Sequence, residues 1–214
     1  MKIAMLGTGV VGRSIGTKLV SLGHEVRMGS RTPDNEAAAG WVSSAGSSSS
    51  QGTFADAAAF GDLVFNCTSG SASLDALRAA GAENLAGKVL VDVSNALDFS
   101  DGPALFVTTK ESLGEQIQAA FPEARVVKTL HTMNAEVMVD PSLVPGEHDV
   151  FVSGNDTAAK EEVSALLESF GWSRERILDL GDISGARATE MYVMLWLRLY
   201  QAVGTSHFNV HVVR

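Results

Sequence analysis

The chain opens with an apolar segment that runs into a glycine-rich turn. Lys2 to Leu6 form a short apolar run, and residues 7–12 then fit the pattern G-x-G-x-x-G. Apolar residues recur at helical spacing from Val11 to Leu22. A strand, a tight turn and a helix in this order begin a βαβ unit that binds a dinucleotide, so this segment constrains the fold more than any other.

Each glycine of the motif has its own mechanical role. Gly7 permits the tight turn, Gly9 lets the backbone approach a pyrophosphate, and Gly12 allows close packing of helix and strand. The unpaired N–H groups and the positive end of the helix dipole then face the anion. An ordinary βα turn with incidental glycines is the alternative, and the place of the motif between strand and helix argues against it. The candidate pyrophosphate ligands are Gly7, Thr8, Gly9, Val10, Val11 and Gly12.

The rest of the chain continues the alternation of strands and helices. Apolar runs at 24–28, 63–67, 88–93 and 125–129 predict further strands, and helical patterns separate them. Crossovers of this length imply an α/β fold of the Rossmann type, with a doubly wound, mostly parallel sheet. The serine-rich stretch 43–50 can bury little surface, so we expect a mobile loop that could close over a bound ligand.

The sequence predicts two parts of unequal size. Residues 1–180 form the dinucleotide-binding domain, and residues 181–214 form a small C-terminal portion with a last helix and a tail. The last helix, from about 184 to 203, is apolar nearly all round. Such a helix is buried, either on the same core or against a second subunit, and the second arrangement makes the protein a homodimer.

The turn after the second strand favours NADP(H) over NAD(H). Enzymes that use NAD usually place a carboxylate there to hold the ribose 2′-hydroxyl. Ser30, Arg31 and Thr32 stand in this turn instead, and they offer a guanidinium group and two hydroxyls to a 2′-phosphate. The alternative is that Arg31 is merely solvated and that Asp34 takes the ribose.

Three further polar turns follow predicted strands, at the edge where open parallel sheets bind ligands. They lie at 68–70, 94–97 and 131–134. We expect the first two to surround the nicotinamide ring, with Asn95 or Thr68 holding its carboxamide. Polar residues also stabilise turns without any ligand, and that alternative stays open. The candidate ligands from these two turns are Thr68, Ser69, Asn95 and Ala96.

His131 is the histidine placed at a strand end on this edge, and we expect it to position the reacting rings by stacking or hydrogen bonding. Capping of the local backbone is the alternative. The substrate-contact candidates that follow it are Thr132, Met133 and Asn134. On the last helix, Arg187 either receives an anionic substrate tail or forms an ion pair with Glu190 three residues on.

Composition argues against several classes of partner. The formal charge of −9 opposes binding to nucleic acid. The single cysteine, Cys67, excludes an internal disulfide and fits a cytoplasmic location, as does a first strand with no leader before it. His207 and His211 lack the glutamate of a metal-binding H-E-x-x-H helix, so no metal is predicted. The longest apolar stretch, 191–203, is too short to span a membrane.

Several pieces of the sequence together carry a family resemblance. They are KIAMLGTG at 2–9, GSR at 29–31, VKTLHTMN at 127–134, GND at 154–156 and DLGDI at 179–183, with Ala186, Arg187 and Glu190. With these pieces the chain resembles, essentially from end to end, the NADPH-dependent coenzyme F-420 reductases, also called F-420-dependent NADP oxidoreductases.

The resemblance implies hydride transfer between NADP(H) and the 5-deazaflavin coenzyme F-420, in a protein that is usually dimeric. It also implies that Thr8, Ser30 and Arg31 contact NADP(H) and that His131 lies near the deazaflavin. Some members carry a lysine a few residues after the arginine, where this chain has Asn35. Two alternatives stay open: an NADPH-dependent reductase of flavin, quinone or metal-chelate acceptors, and a non-catalytic NADP(H) sensor.

Overall fold

The computed structural model describes residues 1–213, which alternate between strands and helices. The strands are β1 (Lys2–Leu6), β2 (Glu25–Ser30), β3 (Ser49–Thr53), β4 (Leu63–Asn66), β5 (Val89–Asp92), β6 (Leu97–Asp98), β7 (Ala104–Leu105), β8 (Arg125–Thr129), β9 (Val150–Ser153) and β10 (Ile177–Asp179). The helices are α1 (Val10–Ser21), α2 (Glu36–Ala45), α3 (Phe54–Phe60), α4 (Gly70–Ala80), α5 (Ala82–Leu85), α6 (Leu113–Ala120), α7 (Ala135–Val139), α8 (Thr157–Phe170) and α9 (Ala186–Val203).

Most of the strands form one sheet, in the order β10-β9-β8-β5-β4-β1-β2-β3. Neighbouring strands are parallel except β8 and β9, which are antiparallel. The order reverses between β1 and β4, so the sheet is doubly wound, and the Rossmann-type fold predicted from the sequence is confirmed. Strands β6 and β7 form a separate antiparallel pair after β5.

The sheet separates two hydrophobic cores, and the alternation of side chains along β1 shows how. Ile3 and Met5 are fully buried in the core that contains the apolar side of α1 and α8. Ala4 and Leu6 point the other way, into the core formed with α3, α4 and α6. A strand buried on both faces needs apolar residues at every position, which is why β1 has an unbroken apolar sequence after Lys2.

Helix α1 carries the glycine turn against the sheet. Its buried positions are Gly12, Ile15, Gly16 and Leu19, which recur at the three- and four-residue spacing of one helix face. Burying the side chains of Ile15 and Leu19 contributes about 1.5–3 kcal/mol each. The helix ends before Gly23, which has a positive φ of 86°.

The prediction of a mobile serine-rich loop at 43–50 is wrong, and so is the idea that this stretch closes over the site. Ser43 and Ser44 lie in the last turn of α2, where their hydroxyls donate to helix carbonyls. Ser49 begins β3, which pairs in parallel with β2 along the edge of the sheet. Hydrogen bonds from the hydroxyls to the backbone, together with strand pairing, give this segment a defined structure, although its composition alone predicts mobility.

The last helix forms close to its predicted bounds, but it is only partly covered. Ala186, Thr189, Glu190 and Val193 are buried, and all lie in its first half. Further along, Leu195 is 54% exposed and other large apolar side chains of the helix are exposed as well. No helix in residues 1–213 has the length and apolar character needed to cross a bilayer.

Candidate functional site

A cleft of about 700 Å³ opens beyond the carboxyl ends of β1, β2 and β4. It lies where the strand order reverses, which is where open α/β sheets bind their ligands. The predicted cofactor ligands that line it are Gly7, Thr8, Gly9, Ser30, Arg31, Thr68 and Ser69. A wider groove of about 1030 Å³ over α1 and α2 contains none of the predicted ligands, so we place the candidate site in the smaller cleft.

The geometry of the glycine turn fits the role predicted for each glycine. Gly7 has a φ of 116°, and a Cβ there would lie 2.7 Å from the Cys67 carbonyl oxygen. A Cβ at Gly12 would lie 2.3 Å from the carbonyl oxygen of Gly7, so helix and turn approach as closely as glycine permits. Beside Gly9, in contrast, a Cβ would meet nothing within 4 Å. The turn is therefore tightly packed at two glycines and open to a ligand at the third.

The start of α1 is available to an anion. Gly9 is the N-cap residue, and within the described residues no side chain accepts a hydrogen bond from the first N–H groups of α1. The first turn also carries no acidic residue, so the positive end of the helix dipole is not neutralised there. Arg13 braces the turn by donating from Nη1 to the Thr8 carbonyl oxygen over 2.7 Å. Val10 and Val11 form the first turn of α1 and do not line the cleft.

The arginine turn forms the far end of the cleft. Ser30 is buried, and its hydroxyl donates to the Thr32 carbonyl oxygen. Arg31 lies in the cleft wall and makes no ion pair or hydrogen bond to any other residue of 1–213. Asn35 also lines the cleft, but its side chain caps α2 by accepting from the Ala38 N–H over 3.0 Å. Asp34, the alternative ribose ligand, is not among the residues that line the cleft.

The turn after β5 lies beside a second cavity of about 510 Å³, which shares Ser69 with the cleft. Asn95 lines this cavity, and its amide nitrogen donates to the His131 carbonyl oxygen over 2.8 Å. The amide oxygen of Asn95 is buried and has no partner in the part of the chain that the structure describes. Ala96 does not line either space, because its side chain is fully buried in the core.

His131 lies inside the protein, directly after a strained turn. Leu130 has a φ of 64°, which is unusual for a residue other than glycine. The imidazole of His131 is 3% exposed, and neither ring nitrogen has a partner within residues 1–213. Burial, together with the nearby charge of Lys128, holds the pKa of His131 well below its ordinary value. The side chain is therefore a neutral imidazole with one free donor and one free acceptor.

The three residues after His131 are not brought to the cleft. Thr132 and Met133 are buried, and the Thr132 hydroxyl has no partner among the described residues. Asn134 donates from Nδ2 to the Ser206 hydroxyl over 2.7 Å, which ties α7 to the segment that follows α9.

Arg187 does not pair with Glu190, so the interpretation of an intrahelical ion pair is wrong. Its guanidinium binds the carboxylate of Glu115 on α6, with Nε donating over 2.8 Å. Glu190 turns to the interior, where its carboxylate accepts from the N–H groups of Leu113 and Gly114 over 2.8 and 3.0 Å. Helical spacing places Arg187 and Glu190 near each other, but each finds a stronger partner outside the helix.

Sequence reasoning missed a buried ionic cluster behind the site. The ammonium group of Lys128 lies 2.8 Å from a carboxylate oxygen of Asp92 and 2.9 Å from one of Glu190, and all three side chains are fully buried. Burial alone would lower the pKa of Lys128, but the two carboxylates outweigh it and raise the pKa. The signal in the sequence was a lysine inside an apolar strand, which needs a buried countercharge.

Comparison with known proteins agrees with the sequence motifs. Residues 2–96 match the family described as NADP oxidoreductase, coenzyme F-420-dependent. A crystal structure from Arthrobacter sp. FB24, provisionally designated an F-420-dependent NADP-reductase, is 51% identical, covers the whole of both chains and has a TM-score of 0.95. The chain belongs to this family. The resemblance identified from the sequence is therefore confirmed, and the chain is a member of an NADP-dependent oxidoreductase family.

Proteins of other groups are similar to this member of the F-420-dependent NADP oxidoreductase family in sequence or in fold. The metalloreductase STEAP3 of Rattus norvegicus is 31% identical over 193 residues, which are 88% of this chain and 36% of STEAP3. The chain thus spans about a third of the length of that relative. An imine reductase from Streptomyces aurantiacus is 19% identical with a TM-score of 0.67, over 95% of this chain and 63% of that one, which indicates a shared fold alone.

Proposed function

We propose that this chain transfers a hydride between NADP(H), bound in the cleft, and the deazaflavin coenzyme F-420. The observation that carries the first half of this proposal is the open space at Gly9, beside the uncapped start of α1 and in one cleft with Arg31. The second half rests on the family and on the designation of the relative from Arthrobacter.

The two anionic parts of NADP(H) would occupy opposite ends of the cleft. The pyrophosphate would lie against the N–H groups at the start of α1, where no side chain competes for them. The 2′-phosphate would lie against the guanidinium of Arg31, and the Ser30 hydroxyl would donate to it on releasing the Thr32 carbonyl oxygen. Among the described residues, Arg31 is the one cation that lines the cleft. The side chain of Asn35 also lines the cleft, but it is engaged as the cap of α2.

The reacting half of the cofactor would point toward the ends of β4 and β5. Both redox cofactors supply the hydride chemistry themselves, so the protein has to bind, orient and shield them. Thr68 and Ser69 line the cleft, and Asn95 fixes the backbone of His131. The neutral imidazole of His131 lies behind this end of the cleft and lines neither cavity, so the proposal assigns it no direct contact with the rings, and no proton transfer by a side chain is required.

Arg31→Ala tests the phosphate assignment. We expect the wild type to prefer NADPH to NADH and the variant to bind NADPH about 10- to 100-fold more weakly, because a charge-assisted hydrogen bond is lost. Binding of NADH should stay unchanged. Fluorescence titration with both nucleotides measures the dissociation constants, and Arg174→Ala on the exposed surface is the matched control. An unchanged NADPH affinity in Arg31→Ala would contradict the assignment.

A turnover assay tests the acceptor. The protein with NADPH should bleach oxidised F-420, and FMN and ferric chelates are the comparison acceptors. Faster reduction of a ferric chelate would favour the metalloreductase alternative, to which the similarity with STEAP3 points. Binding of NADPH without turnover of any acceptor would favour the sensor.

We also propose that a second copy of the chain covers the exposed part of α9, which makes the protein a homodimer. Leu195, Tyr200 and Val203 are each about half exposed on this helix, and a soluble helix buries such a surface against a partner. We propose separately that residues 1–180 and 181–214 form the two parts of the chain and that the protein is located in the cytoplasm. Light scattering should give the mass of a dimer, and Leu195→Asp should reduce it to that of a monomer.

A further inference from the structure

A chain of buried polar side chains runs behind the cleft, from Thr68 to Lys128. Asn66 ends β4, Asp92 ends β5 and Lys128 lies near the end of β8, so the three come from neighbouring strands of the sheet. All three are at most 1% exposed. Thr68 follows two residues after Asn66, and it is the member of the chain that reaches the cleft.

The charges at the inner end fix the direction of every hydrogen bond that follows. The ammonium of Lys128 can only donate, and it donates to Asp92 Oδ2 over 2.8 Å. The ionised carboxylate of Asp92 can only accept, and its Oδ1 accepts from Asn66 Nδ2 over 2.8 Å and from the Ser94 hydroxyl over 2.7 Å. The amide nitrogen of Asn66 therefore has to face Asp92, and its amide oxygen has to face away.

The orientation of Asn66 in turn fixes the hydroxyl of Thr68. The amide oxygen of Asn66 lies 2.7 Å from Thr68 Oγ1, and the hydroxyl donates its single proton to it. Ser73 accepts from Asn66 Nδ2 over 3.1 Å, and its own proton goes either to Thr68 Oγ1, which lies 3.0 Å away, or to the Ser69 carbonyl oxygen, which lies 3.2 Å away. With its proton committed, the oxygen of Thr68 has only lone pairs left for a ligand in the cleft.

We propose that Asn66, Asp92 and Lys128 are positioning residues that hold the Thr68 hydroxyl as a hydrogen-bond acceptor for the amide N–H of the nicotinamide carboxamide. This inference rests on the proposed binding of NADP(H) in the cleft. It assigns the buried chain a part in specificity, because a group that can only accept favours an amide over a carboxylate at that position of the ligand.

Two nucleotides that differ at that position are suitable probes. NADP⁺ carries the amide, and nicotinic acid adenine dinucleotide phosphate carries a carboxylate, which can only accept. Calorimetric titration of the wild type should give an affinity at least about tenfold higher for NADP⁺, because two facing acceptors leave a buried group unpaired. An equal affinity for both probes would overturn the inference while leaving the binding of NADP(H) intact.

Asp92→Asn should reverse the direction of the chain. The new side chain keeps its oxygen toward Lys128, at the loss of the hydrogen bond from the Ser94 N–H, and presents an NH₂ group to Asn66, which then turns its amide oxygen inward. Thr68 would accept from Asn66 and donate into the cleft, so the preference for NADP⁺ should fall at least about tenfold. Asp92→Asn with the preference of the wild type would overturn the inference.

Glu190→Gln is the matched control for charge. It neutralises the other carboxylate on Lys128 but leaves Asp92 and Asn66 unaltered, so its preference should stay within about twofold of the wild type. A fall equal to that of Asp92→Asn would mean that net charge, and not direction, sets the preference, and the inference would fail.

Thr68→Val and Thr68→Ser give a reading even if Asp92→Asn does not fold. The valine variant should lose the preference, and the serine variant, which keeps the hydroxyl, should retain it. A valine variant with the preference of the wild type would overturn the inference. Absence of any binding of NADP⁺ or NADPH to the wild type is a different result, since it refutes the proposed function itself.

Discussion

At the glycine turn the backbone itself faces the cleft, whereas at the ends of β5 and β8 charged side chains are buried behind it. The turn achieves its shape through the absence of side chains, with a Cβ-sized gap at Gly9 and none at Gly12. The ionic cluster consists of fully buried side chains, with the ammonium group of Lys128 shared by the carboxylates of Asp92 and Glu190. A binding surface that is made of backbone depends on steric contacts between residues close in sequence. Positioning by buried charges depends on electrostatic interactions among residues far apart in sequence.

The comparison predicts its largest effect at the centre of the ionic cluster. Lys128→Met should lower the free energy of unfolding by about 3–5 kcal/mol, because two buried carboxylates lose their shared cation. Urea denaturation followed by circular dichroism measures the change. Lys110→Met, at an exposed position, is the control and should change stability by less than about 0.5 kcal/mol. Equal stabilities of the two variants would break the comparison.

The glycine turn should separate stability from binding. Gly12→Ala should lower the free energy of unfolding by about 1–3 kcal/mol, since the new methyl group overlaps the Gly7 carbonyl oxygen. Gly9→Ala should leave stability within about 0.5 kcal/mol of the wild type. It should nevertheless weaken NADPH binding at least about tenfold, because the methyl group fills the space proposed for the pyrophosphate.

Thermal denaturation and fluorescence titration of the two variants give both quantities. The separation of roles at the turn is refuted if Gly9→Ala binds NADPH as tightly as the wild type, or if Gly12→Ala is as stable as the wild type.

Lowering the pH should reduce the free energy of unfolding, because His131 is buried as a neutral imidazole. Its pKa is depressed in the folded protein, and an unfolded histidine titrates near 6.5, so the unfolded state binds more protons below that pH. Stability is therefore lost from this residue as the pH falls through 6.5.

Unfolding free energies at pH 7.5 and 5.5 measure the loss, and the loss should be smaller in His131→Leu by the amount that this residue contributes. His207→Leu, on the segment after α9, removes a partly exposed histidine as the control. If the wild type and His131→Leu respond equally to acid, the imidazole is not held neutral by its surroundings.

The smallest expected effect is on stability, at the N-terminal cap of α3, which is a local sequence feature as the glycine turn is. Thr53 is the N-cap of α3, and its hydroxyl exchanges hydrogen bonds with Asp56 in a capping box. Thr53→Ala should cost about 1 kcal/mol of stability, and Thr53→Ser should restore most of it. A stable Thr53→Ala variant in thermal denaturation would mean that strand β3, and not the cap, holds this corner.

Local features of this molecule could be predicted from the sequence, and contacts between distant residues could not. The motif at 7–12 could be interpreted because its spacing is local, and the strands and helices that follow could be placed from their periodicity. The serine-rich stretch 43–50 was misjudged because composition does not reveal that β3 pairs with β2. The partner of Arg187 was misjudged because helical spacing compares residues of one helix, whereas Glu115 lies 72 positions earlier.

The ionic cluster could not be predicted for a related reason. Asp92 and Lys128 are 36 positions apart, and they meet because β5 and β8 are neighbours in the sheet. A sequence gives the order of strands along the chain, and the order across the sheet has to be found from the structure. The lone lysine in an apolar strand indicated that a countercharge was needed, but not which residue supplied it.

The contacts of Glu190 determine where this protein can be truncated or divided for use in a chimera. Its carboxylate receives the first N–H groups of α6 and lies against Lys128, so helix α9 contributes a charge to the centre of the sheet. A designer who transplants the cofactor-binding part into a chimera and stops before α9 would leave the N–H groups of Leu113 and Gly114 without their acceptor and Lys128 with one counterion fewer. The portable module therefore extends at least through the first half of α9.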